Sequence, residues 1–170
     1  MFLPFLFATC LAASPGPKAK VIESVHQNAV GVWLNTNPGF RIALESDCRT
    51  CEEDIQMIRR GMGGAWKPVP DYTPYYAVGD FNSDGENDFA IVVIKTKPKG
   101  QSFKILVFNG PFPDSSNSKP AFVSEFMDLS REGLFFGPPR PKPYRLLVGA
   151  FESEGILLVP KGQGYVWDRE

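Results

Sequence analysis

An α+β domain organised around a meandering antiparallel β-sheet is the fold that this sequence predicts, and three observations lead there. Short β-branched and aromatic segments recur along the chain, most densely after residue 75. The 16 Gly and 16 Pro cut the chain into pieces too short for long helices. Only one stretch, near residues 50–61, carries clear helix start and stop signals. Short connections between strand segments favour antiparallel neighbours, so the expected arrangement is one meandering sheet with one short helix packed on a face.

Taken in order, residues 1–13 are mostly apolar, and the small residues Ala12 and Ala13 stand just before Ser14. This pattern fits a secretory signal: too short to span a bilayer, with a cleavage point near Ser14. Cys10 offers the alternative of a lipid anchor. Residues 14–170 are then expected to form a single globular domain, secreted or periplasmic, with no stable membrane span. Val21–Gln27 is open between a strand and a helical turn. Ala29–Leu34 and Phe40–Leu44 flank the turn residues 35–39 and read as a first hairpin.

The expected helix follows. Thr50 and Glu53 match a capping box, acids at 52–54 and bases at Arg59 and Arg60 suit the helix dipole, and Gly61 can close it. Cys51, Ile55, Ile58 and Met62 recur three or four apart and form one apolar stripe. Strands are expected at Tyr75–Val78, Phe89–Lys95, Ser102–Phe108, Ala121–Met127, Tyr144–Phe151, Gly155–Val159 and Gly164–Trp167.

Composition narrows the function classes. Hydrophobic residues at 43% and charged residues at 22% describe a folded globule rather than a disordered chain. A formal net charge of -1 argues against nucleic-acid binding, which usually shows a basic excess.

The chemically richest stretch is the loop at 80–88. Asp80, Asn82 and Asp84 alternate with other residues, Gly85 permits a sharp turn, Glu86 can offer its backbone carbonyl, and Asp88 adds a carboxylate. Hard oxygen ligands at this density suit Ca²⁺, which would also relieve the repulsion among the three Asp. Ile91 stands where a helix-loop-helix calcium motif needs its closing Glu, so this is not an EF-hand. The competing reading is an ordinary turn, since Asp, Asn and Gly also favour local hydrogen bonding.

The run GDFNSDGENDFA, Gly79–Ala90, resembles the calcium loop and following strand of FG-GAP or VCBS-type repeats, found in integrin-like and bacterial extracellular propellers. The resemblance implies Ca²⁺ held by Asp80, Asn82, Asp84, the Glu86 carbonyl and Asp88. It is local to residues 76–94 and occurs once. A propeller needs several four-stranded blades, so a closed propeller is not expected.

Cys48 and Cys51 form a CxxC at the start of the expected helix. A structural disulfide, a redox-active pair and free or metal-associated thiols are all open readings. A zinc site lacks further Cys or His nearby. His26, the only histidine, has no flanking catalytic motif, and Glu152 with Glu154 reads as a carboxylate pair or as a hairpin turn. Two function classes result. The first is an exported, non-catalytic calcium-binding domain with a cell-envelope role or an unidentified protein or glycan partner. The second is a periplasmic enzyme, thiol-redox through Cys48 and Cys51 or hydrolytic through an acidic pair.

Overall fold

The computed structural model describes residues 20–61, 67–97, 102–113, 119–138, 140, 142–151 and 155–168. The expected leader at 1–13, Cys10, Met62, Trp66, Glu152 and Glu154 lie outside them. Among the described residues no helix is long and apolar enough to cross a membrane.

The architecture is α+β with antiparallel strands throughout, and it is neither a closed barrel nor a propeller. The strands divide between two sheets, and there are two α-helices rather than one. Helix α1, Ser24–Thr36, takes up the segment expected as the first arm of a hairpin. The reason is spacing: His26, Ala29, Val30 and Trp33 recur every three or four residues, and the first three are buried on one face. Asn37 ends the helix by donating its side-chain amide to Trp33 O at 2.9 Å, and Pro38 follows.

Strand β1, Phe40–Ile42, therefore has no hairpin partner before it and pairs with β3, Asp88–Lys95. Strand β2, Tyr76–Gly79, pairs with the same edge of β3 further along. The other edge of β3 carries β4, Phe103–Phe108, and β4 carries the short β5, Phe122–Val123. The second sheet is a simple meander of β6, Glu132–Phe135, β7, Leu146–Ala150, β8, Gly155–Lys161, and β9, Gly164–Asp168.

Alternation along β3 assigns its two faces. Phe89, Ile91 and Val93 pack with Ala29 and Val30 of α1, whereas Ala90, Val92 and Ile94 join Leu134, Leu146, Val148 and Leu158 of the second sheet. A strand covered on both faces reads as an unbroken apolar run, and this one is buried from Asp88 to Ile94.

Helix α2, Glu52–Arg60, matches the expected helix, and Gly61 closes it in the left-handed conformation at φ 67°. Its start differs. Cys51 takes the N-cap position, and no side chain caps the first turn. Thr50 sits at φ 59° and turns its hydroxyl to Arg49 O, so the Thr50–Glu53 capping box does not form. Cys51 and Ile55 of the stripe are buried against the second-sheet side of the core. Arg59, only 5% exposed, forks onto both carboxylate oxygens of Glu45, at 3.1 and 2.5 Å, and donates to Tyr72 O. A buried guanidinium satisfied in this way ties the helix end to the chain on either side of it.

Candidate functional site

The loop between β2 and β3 is folded by its own acidic side chains. Asp80 accepts from Asp84 N and Gly85 N, both at 3.0 Å, and Asn82 Oδ1 accepts from Asp84 N at 2.9 Å. Asp84 accepts from Glu86 N at 2.9 Å and from Asn82 Nδ2 at 2.8 Å. Ser83 at φ 67° and Gly85 at φ 93° supply the left-handed positions that let the chain wind this tightly. The result gathers Asp80, Asn82 and Asp84 on one water-facing turn.

Asp88 has a different position. It is fully buried, and its Oδ2 accepts from Phe81 N at 2.9 Å and Asn82 N at 3.3 Å, while Oδ1 accepts from Gly110 N at 3.1 Å. Tyr165 on β9 lies 3.1 Å from Asp88 Oδ2 and 2.8 Å from Asn109 Oδ1, sharing its hydroxyl proton between two acceptors. Gly110 reaches the carboxylate because it has no side chain, since a Cβ there would lie 2.4 Å from Asn87 O. Burial pushes the Asp88 carboxyl above its usual range, and the donors from Gly110, Phe81 and Tyr165 pull it back. Asp88 thus clasps the loop from inside and fastens it to the second sheet.

As a donor set for a cation, Asp80, Asn82 and Asp84 fit a hard, oxygen-seeking ion, and each retains lone pairs beyond its local bonds. Asp88 could add only what its four donors leave. Among the described residues no three His, Cys, Asp or Glu side chains are gathered as a metal-holding group. Arg145, which the sequence does not single out, bonds to Ser83 Oγ at 2.9 Å and to Phe81 O at 3.3 Å. It brings a positive charge to the rim of the acidic turn.

Cys48 and Cys51 are joined at disulfide distance, 2.01 Å between sulfurs. They are 8% and 2% exposed, and the sulfurs lie against the carbonyls of Glu132, Arg49 and Ser130. Three acids, Glu52, Glu53 and Asp54, occupy the first turn that a reactive thiolate would need free. Carbonyl oxygens and carboxylates disfavour a thiolate, so these surroundings suit a bridge that pins the start of α2.

His26 is also a packing residue. It is 3% exposed, stacks on Phe89 with centroids 4.0 Å apart, and shares a 2.8 Å hydrogen bond with the Tyr76 hydroxyl. Burial lowers its pKa from the usual value, with Glu23 opposing that shift.

Comparison of the chain with protein-family models, with curated proteins and with solved structures finds no match.

Proposed function

We propose that this chain is an exported, non-catalytic domain of the VCBS/FG-GAP-like kind whose 80–88 loop binds Ca²⁺, serving at the cell envelope or in contact with a protein or glycan partner. The observation that carries the reading is the water-facing turn that collects the side-chain oxygens of Asp80, Asn82 and Asp84 above a buried Asp88. Asp80, Asn82, Asp84 and the Glu86 carbonyl would hold the ion, with Asp88 as the inner anchor. Bound Ca²⁺ would supply the positive charge that lets two carboxylates share one short turn. The chain's own contribution is preorganisation, because the turn is already wound by bonds from Asp80, Asn82 and Asp84 to its backbone amides.

An open, partly self-satisfied site of this kind belongs with extracellular calcium modules, whose dissociation constants run roughly 10⁻⁴ to 10⁻³ M. A tenfold excess of calcium over that constant stabilises the fold by about 1.4 kcal/mol. Thermal melting in millimolar calcium against chelator tests this directly. The wild type should melt higher with calcium, and Asp84→Ala should lose most of that rise. Identical melting curves with calcium and with chelator would overturn the proposal.

A further inference from the structure

The two sheets meet at a second place, on the far side of β2 from β3. There the free edge of β2 faces the free edge of β6, and the two close on each other at two points. Leu134 N donates to Pro74 O at 2.8 Å. Further along, the Phe136 ring covers Gly79 so closely that a Cβ there would lie 2.1 Å from it. Between these closures lies a cavity of about 130 Å³, walled by Tyr76, Ala77, Val78, Leu134, Phe135 and Phe136.

Its size and chemistry select a ligand. An apolar space of about 150 Å³ accommodates one benzene ring, so this one admits a single ring among aromatic and aliphatic walls. Closure at both ends excludes an added β-strand. The charged residues of the lining are Lys20, Asp71 and Arg140, all partly or fully exposed, which gives the rim two cations against one carboxylate. Among the described residues neither cation is in an ion pair, and Lys20 Nζ stands 5.6 Å over the Tyr76 ring. Polar backbone is also present. Pro74 O points away from β3, so by the alternation of an antiparallel ladder Tyr76 and Val78 also turn their backbone groups outward. Tyr76 O receives the Thr73 hydroxyl at 3.3 Å, which leaves Tyr76 N and the N and O of Val78 as the polar backbone facing the slot.

We propose that this slot binds a small acid consisting of one aromatic ring and a carboxylate, with the ring between β2 and β6 and the carboxylate at Arg140 and Lys20. The inference is independent of the calcium loop. Phenylacetate and its uncharged counterpart benzyl alcohol are the probes, titrated into the full chain and followed by calorimetry and by the amide resonances of Ala77, Val78 and Leu134. Phenylacetate should bind and shift those amides, and benzyl alcohol should bind about tenfold more weakly for want of a charge-assisted contact. Arg140→Gln, a change at an exposed position, should bring phenylacetate toward the level of the alcohol, and Arg140→Gln with Lys20→Gln should bring it there. Asp84→Ala should leave phenylacetate binding unchanged. Absence of shifts at the three amides at the highest soluble phenylacetate concentration would overturn the proposal. So would equal affinity for the two probes, or undiminished binding in Arg140→Gln.

Discussion

The two sheets solve the same packing problem in different ways. In the first, β3 and β4 are covered on both sides: Ile105 and Val107 face the second sheet, while Leu106 and Phe108 face α1. In the second sheet β6 and β7 are likewise buried, but toward β9 the outer face opens to water: Val166, 38% exposed, follows the buried Tyr165 on the opposite face. The doubly covered strands β3 and β4 leave no apolar side chain that can be changed cheaply, whereas the outer face of β9 tolerates substitution. Polar chemistry collects at the ends where the sheets touch, at Asp88 with Tyr165 and at the slot beside β2.

The strongest test of this contrast is Phe89→Ala against Val166→Ala. Phe89 stacks on both His26 and Phe108, with centroids 4.0 and 4.7 Å away, so its truncation should cost about 3–5 kcal/mol in denaturant unfolding. Val166→Ala, at a 38% exposed position, should change stability by no more than about 0.5 kcal/mol. Comparable losses in the two variants would erase the distinction between the sheets.

Next in size is the polar junction. Asp88→Ala leaves the amides of Phe81, Asn82 and Gly110 without their acceptor and the Tyr165 hydroxyl with Asn109 Oδ1 alone, at a cost of about 3 kcal/mol. Asp88→Asn, which keeps one oxygen, should lose distinctly less, and equal losses would show that the carboxylate does not organise the junction.

A smaller effect concerns the α1 face and its pH dependence. Because burial lowers the His26 pKa, the unfolded chain binds the proton more readily than the folded one. Stability is therefore fully present above the ordinary histidine pKa of about 6.5 and falls as the medium is acidified from there toward the folded value. His26→Phe should flatten the melting temperature in that interval; a slope equal to that of the wild type would dissociate His26 from it. Smallest is Tyr72→Phe. Among the described residues the buried Tyr72 hydroxyl has no hydrogen-bond partner, so removing it should leave stability unchanged or raise it by up to about 1 kcal/mol. A loss instead would mean that the hydroxyl is satisfied after all.

Much of this arrangement is legible in the amino-acid order, and the parts that are not have identifiable causes. Phe89–Ile94 announces itself because a strand covered on both faces needs no polar alternation. The alternation of Asp80, Asn82 and Asp84 around Gly85 marks the turn because those residues close it with their own side chains. Helix α1 is hidden for two reasons. Its Val, Ala and Trp also suit a strand, and one member of its buried stripe is His26, which counts as polar until its stacking on Phe89 is seen. Strand β6 is masked by its shortness and by Gly133, whose missing side chain makes room for the Tyr72 hydroxyl. The buried fork of Arg59 on Glu45 and the inward clasp of Asp88 depend on partners 14 or more positions away, or on another sheet, and no local spacing encodes them.

Val92 holds both ends of a detour in the chain. Its carbonyl accepts from Ala43 N and its amide donates to Tyr75 O, each at 3.0 Å, so the segment carrying α2 and the disulfide departs and returns at one residue of the central strand. Such a cassette can lift away and reseat while the ladder between β3 and β4 stays zipped. Amide exchange in 44–61 and 67–74 should then outpace exchange in the strand that anchors them, giving the molecule an independently opening flap on an otherwise cooperative body.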